Sequence, residues 1–239
     1  AVLKSPKGLL VVDSSMDFDA KKTLAKIRSI SSLPIKYIIN THYHFDHTNG
    51  NSVLGKNATI YMHKNAKKPL LKMLKDKNKK CDYQGKIRTV TNKKIIFGNE
   101  TVLIKSFGPG HTNGDLVVIF KNAKVVHAGD IFFSNLAPFI NAKDGANTKN
   151  WVTVIRKLTT TYKNYKYIPG HGMIGSASSF KAFADYLQYV RKQVAVKIKQ
   201  KKTKKETIAS IDTSKFKMLE WKYLNKRNNI AAIYDELSK

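Results

Sequence analysis

The chain has one cysteine, six prolines and only sixteen acidic residues among its 239 positions. A lone Cys81 can form no internal disulfide, so a disulfide scaffold is excluded, and a chain of this size does not need one. No apolar run approaches the ~20 residues that span a bilayer, so no transmembrane helix is expected. Hydrophobic residues make up 42% of the chain, enough for a sizeable core, and a single α/β domain over residues 1–239 fits the length better than two.

The shortage of acidic residues leaves a formal charge of +28. A surface this basic can attract nucleic acid, anionic membranes or acidic partners. Yet only five of the forty-four basic residues are arginines (Arg28, Arg88, Arg156, Arg191 and Arg227), and the lysines are spread along the whole chain. Phosphate-reading proteins favour arginine forks and local clusters. The densest basic run, Lys197 to Lys205, suits an exposed helix end, where cations sit well against the helix dipole. The expectation is a lysine-biased solvated surface, a small-molecule substrate and no specific nucleic-acid partner. The chain opens at Ala1 without Met, in a strand-like run that reads as a hairpin from Ala1-Val2-Leu3-Lys4 through Ser5-Pro6-Lys7-Gly8 to Leu9-Leu10-Val11-Val12. This agrees with an upstream segment having been removed; if that was a signal peptide, a periplasmic or secreted location is favoured over a cytoplasmic one.

What the chain does have is a dense ligand motif. Thr41-His42-Tyr43-His44-Phe45-Asp46-His47 packs three imidazoles and a carboxylate into a stretch that core packing does not explain. The apolar run Ile35–Ile39 reads as a strand, and a chain still extended beyond it places His42 and His44 on one face. Asp46 and His47 follow in the turn continued by Thr48-Asn49-Gly50. Nitrogen and carboxylate donors in this mixture suit Zn²⁺, with iron or manganese compatible and calcium not.

His-x-His-x-Asp-His resembles the signature of the metallo-β-lactamase-fold hydrolases. Further motifs of that family have counterparts downstream in order: Gly108-Pro109-Gly110-His111-Thr112, His127-Ala128-Gly129-Asp130 and Pro169-Gly170-His171-Gly172. The resemblance covers nearly the whole chain. It implies an αββα four-layer sandwich with a dinuclear metal site at one edge of the sheets. It also implies two Zn²⁺ ions, the first held by His42, His44 and His111, the second by Asp46, His47 and His171, with Asp130 bridging them. Such a site leaves room for a bridging hydroxide with the ions ~3.5–4 Å apart. Asp46 is then the catalytic candidate that orients the nucleophile and passes its proton on. His63 and His127 occupy no ligand position and read as structural or supporting residues. Ser14, Thr112 and Ser134 lack triad partners outside the ligand set.

The remaining pattern agrees with an α/β sandwich. Helices are expected from Asp17, as cap, to about Ile30, with Leu24, Ile27 and Ile30 on one face, and from Ala66 to Lys80, with Leu70, Leu71 and Leu74 inward. Further helices are expected over 150–162 and 178–200, with a helical extension over 197–239 anchored by Trp221, Tyr223, Leu224, Ile233 and Tyr234. Strands are expected at 58–63, 94–97, 101–107, 116–120, 124–128 and 165–168. An internal echo, in which strand, helix and strand lead to histidines in each half, supports a two-fold architecture with ligands at strand ends.

The resemblance also narrows the activity. Zinc β-lactamases proper usually replace the bridging carboxylate with Cys or Ser, whereas thioesterases, lactonases and phosphodiesterases of the fold keep it. The words around His111 and Asp130 look most like the branch next to the third β-lactamase subclass, which includes quinoprotein- and sulfur-oxidation-associated hydrolases. The expected activity is zinc-dependent hydrolysis of a small ester, thioester, lactone or amide, with β-lactams as one such amide. The alternative is a metal-dependent RNase or phosphodiesterase that uses the basic surface. The apolar stretch Ile131–Ile140 reads equally as a pocket wall and as core.

Overall fold

The computed structural model describes residues 1–74 and 86–238. Cys81 and the Lys75–Lys80 end of the expected lysine-rich helix lie outside the described residues. Residues group into two compact units, Ala1–Phe107 with Gly114–His127, and Gly108–Asn113 with Ala128–Lys239.

In the first unit, β1 (Val2–Ser5) and β2 (Gly8–Val12) form the expected hairpin. Strands β3 (Ile35–Ile39), β4 (Thr59–Met62) and β5 (Lys86–Thr89) follow in order, each parallel to its predecessor, to complete a five-stranded sheet. All five residues of β2 are buried, as a strand covered on both faces requires. Leu9 and Val11 meet Ala20 and Ile27 of α1 (Asp17–Ile30) and Leu54 of a short helix, whereas Leu10 and Val12 point the other way. That other face packs on Ile95, Phe97, Val102, Ile104, Val118 and Phe120. These residues come from β6 (Asn92–Phe97), β7 (Glu100–Lys105) and β8 (Val117–Phe120), an antiparallel meander of the second sheet. Period-two alternation along β2 thus builds two cores at once.

The second sheet runs β10-β9-β8-β7-β6, with β9 (Val125–Phe133) and β10 (Lys166–His171) at its far side. In the second unit, α5 (Thr148–Thr161) and α6 (Ala177–Lys199) pack on one another, and α7 (Lys204–Ser210) and α8 (Lys226–Leu237) follow. Phe180, Phe183, Ala184, Leu187, Val190 and Val194 recur at helical spacing and form the buried stripe of α6. Ser176 and Ser179 close a reciprocal capping box at its start.

Several expectations fail at single residues. Ile30 is 53% exposed because it lies a further 60° around α1 from Ile27, off the buried stripe. Leu71 is 39% exposed because its neighbour Leu70 already faces the core and consecutive helical residues diverge by about 100°. Met16, not Asp17, holds the capping position of α1, and no side chain caps it. Trp221 and Tyr223 are 60% and 67% exposed; the turn closed by Trp221 N–H to the Leu224 carbonyl leaves Ile233 as the buried anchor. The expected strand at 124–128 continues to Phe133, so Ile131, Phe132 and Phe133 are core, while Asn135 and Phe139 are exposed in the stretch that follows.

Candidate metal centre

β3 ends at Ile39, and the ligand motif runs on in a bend rather than in an extended strand. His42 and His44 still come together, their rings edge to face with centroids 4.6 Å apart, and the His42 and His47 ring centroids are 4.3 Å apart. Asp46 and His47 lie in the single-turn helix α2 (Phe45–Thr48), followed by α3 (Asn51–Leu54). The His47 carbonyl anchors this corner by accepting from Ser14 N, Ser14 Oγ and Asn40 Nδ2. His63 Nδ1 accepts from Asn65 N at the start of α4 (Lys64–Leu74).

The bend is held by a residue that the motif does not contain. Asp13, just beyond β2, accepts from Thr41 N and from His47 Nδ1, both at 2.8 Å. Its carboxylate also accepts from Thr41 Oγ1 at 2.8 Å. Because that hydroxyl spends its hydrogen on Asp13, it accepts in turn from His42 Nδ1 at 3.1 Å. Burial raises the Asp13 pKa, but the His47 ring, His127 and the Thr41 N–H outweigh it and hold the carboxyl below the usual carboxylate range. The sequence did not signal this role: Asp13 follows β2, and only the parallel pairing of β2 with β3 brings it to the sheet edge where the motif begins.

His111 sits in a loop pinned by Asn150 Nδ2 to the Pro109 carbonyl and by Asn147 N to the Gly110 carbonyl. Its Nδ1 donates to the Phe139 carbonyl at 3.1 Å. A carbonyl only accepts, so Nδ1 carries the hydrogen and a neutral ring has its lone pair on Nε2. That Nε2 lies 3.3 Å from Asp130 Oδ2, and His171 Nε2 lies 3.4 Å from the same oxygen. His47 repeats the pattern, with Nε2 at 3.4 Å from Asp46 Oδ2. Lone pairs set against carboxylates at these distances repel unless a cation lies within their reach, which is the condition that a metal site fulfils. Gly170 makes the space for the shared carboxylate, since a Cβ there would stand 1.8 Å from Asp130 Oδ1.

One ligand atom from each of His42, His44, His111 and Asp130 lies within 4.8 Å of the others, and the same holds for Asp46, His47 and His171. All seven residues singled out by the motifs therefore fall into two groups of metal-ligand type. His42, His47, His111 and Asp130 are buried, while His44, Asp46 and His171 are partly open.

The chain belongs to the metallo-β-lactamase superfamily of hydrolases, whose family model matches residues 1–171. Among its relatives is the type 2 metallo-β-lactamase of Bacillus sp. (strain 170), 31% identical over 179 residues, which cover 73% of this chain and 66% of that protein. The match thus spans just under two thirds of the relative's length. A linear primary-alkylsulfatase of Pseudomonas sp. (strain ATCC 19151) is 46% identical over 50 residues, 20% of this chain and 10% of that protein. The solved structure of a stereoselective inverting sec-alkylsulfatase from Pseudomonas sp. has the same fold, with a TM-score of 0.77 at 10% identity over 98% of this chain and 46% of that one.

Proposed function

We propose that the protein is a zinc-dependent hydrolase that holds two ions and cleaves a small ester, thioester, lactone or amide. The observation that supports it best is the position of Asp130, one of whose oxygens lies 3.3 Å from His111 and 3.4 Å from His171, a ligand of each group. In this reading His42, His44 and His111 hold the first ion, Asp46, His47 and His171 the second, and Asp130 both. Imidazole and carboxylate donors in this ratio suit zinc. When bound, such ions bring the pKa of water down to ~7 and polarise the substrate oxygen.

This chain's own residues supply the rest. Asp13 and Thr41 fix the tautomers of His47 and His42, and the Phe139 carbonyl fixes that of His111, so that each presents Nε2. Asp46, partly open, is placed to orient the attacking water and to carry its proton towards the leaving group. Asp130 stands where dedicated zinc β-lactamases usually carry Cys or Ser, which weighs against β-lactams as the principal substrate.

A second reading takes a sulfate ester as substrate, favoured by the 46% identity to the alkylsulfatase over 50 residues. Metal analysis joined to a turnover panel of thioester, lactone, β-lactam, phosphodiester and alkyl sulfate substrates tests both. The expected result is two zinc ions per chain and turnover of carboxylic or sulfuric esters. Saturation at one ion would refute the dinuclear assignment, and turnover of the phosphodiester alone would refute the substrate class.

A further inference from the structure

Beside the candidate metal centre, the second unit contains a cleft of about 210 Å³ walled by α6, the end of β9 and the strap Lys215–Met218. Its inner surface is aromatic. Phe133 and Tyr186 are each 1% exposed, and Phe216 meets Tyr186 edge to face with ring centroids 5.2 Å apart. Its rim is cationic, formed by the exposed Lys215 and Lys217. Lys215 Nζ rests 3.7 Å from the Tyr189 ring centroid, which fixes the ammonium beside the opening.

Tyr186 is part of this inner surface. It lines the cleft, and its buried hydroxyl has no hydrogen-bond partner among the described residues. Burial, with the Glu220 carboxylate adding to it, pushes the phenol's pKa well above its ordinary value, so the O–H is retained as a donor. A buried donor with no acceptor is costly and rare in native proteins.

We propose that this cleft binds a small anionic amphiphile, an apolar chain or ring that ends in a carboxylate or a sulfate. The apolar body lies against Phe133, Ala182 and Phe216, and the charged head meets Lys215 and Lys217. The cleft is smaller than the ~300–1,000 Å³ of drug-sized pockets, so the occupant is small. Phe133 also stacks on His171, with ring centroids 5.3 Å apart and planes 21° apart, and Ser134 N donates to the His171 carbonyl. An occupant therefore presses on the strand end beside a candidate metal ligand. The proposal stands apart from the hydrolase reading, because binding is measured on protein stripped of metal.

The test is calorimetric titration of metal-stripped and zinc-loaded protein with octanoate, octyl sulfate and octanol, each below its micelle concentration. Both anions are expected to bind with a Kd tighter than ~1 mM, and octanol at least about tenfold more weakly. Ala182→Leu fills the cleft from an exposed position of α6, and Lys215→Ala with Lys217→Ala removes the rim charge. Each is expected to weaken the anions by about tenfold or more, with an unchanged circular dichroism spectrum. The stronger-bound anion identifies the head group. Undetectable binding of both anions would overturn the proposal, as would octanol binding equally well or indifference to Ala182→Leu. Equal loss on Lys201→Ala with Lys202→Ala, far along the chain, would show only attraction to net charge and would also overturn it.

Discussion

His47 has a carboxylate beside each ring nitrogen: Asp13 accepts from Nδ1 at 2.8 Å, and Asp46 lies 3.4 Å from Nε2. Asp46→Asn keeps size and one donor oxygen but removes the charge that, in the proposed function, orients the nucleophile. Its turnover is expected to fall by orders of magnitude while metal stays bound, the behaviour of a group that acts in the transition state. Near-normal turnover at confirmed metal occupancy would show that the proton passes elsewhere. Asp13→Ala strips the acceptor from His47 directly and from His42 through Thr41. Metal affinity is expected to drop about 10- to 100-fold, as for other residues that orient ligands, and competition against a chelator measures it. The clustering of the seven residues was legible in two ways: imidazoles and a carboxylate at the short spacing of His-x-His-x-Asp-His have few structural uses, and His111, Asp130 and His171 stood in motifs that resemble the family's. Asp13 was not, since nothing in a strand that ends Val-Val-Asp announces a contact 34 residues away in the chain.

Helices α5, α6 and α8 are joined by one ionic cluster. Glu236 of α8 accepts from Arg191 of α6 at 2.8 Å and from Thr148 N at the start of α5 at 3.1 Å. Both charged side chains are largely buried. Glu236→Ala leaves the Arg191 guanidinium and the Thr148 N–H without this acceptor. The expected cost is about 2–4 kcal/mol, between that of a lost charged hydrogen bond and that of a broken buried pair. Urea unfolding would show it as a lower midpoint at unchanged slope; a shift below about 0.5 kcal/mol would mean that α8 is held by Ile230 and Ile233 alone. At this scale the sequence spoke unevenly. The apolar stripe of α6 and the hairpin β6-β7 were readable because long periodic patterns and a Gly-Asn turn each have one good solution. β5, with a single half-buried residue in Lys86–Thr89, has no such pattern, and α2 and α3 are too short to show one. β9 was read too short because Gly129 and Asp130 break a strand pattern, although Gly129 adopts φ 53° within it and the Asp130 side chain is buried.

Across the whole molecule, the charge of +28 and the ligand set make separate predictions. Binding to RNA or DNA is expected to be weak, indifferent to sequence and lost at physiological salt. Each neutralised phosphate would add ~0.7–0.9 to the salt slope, whereas turnover of small esters should change little with salt. Sequence-specific RNA cleavage at physiological salt would give the lysines a function. Chelation should lower thermal stability, by about 4 kcal/mol where zinc had stood at a thousand times its Kd, and acidification should release the metal as imidazoles protonate. An unfolding midpoint indifferent to chelator would argue against resident metal. The supports of the ligands also differ in how they can be lost. The carbonyl that fixes His111 belongs to the main chain, and every amino acid at position 139 would provide it. His47 and His42 hang from one carboxylate, which a single base change in the codon for residue 13 can remove. Under mutational drift the two ends of the ligand set therefore do not decay alike: the His-x-His-x-Asp-His end has a single point of failure outside itself, and His111 has none.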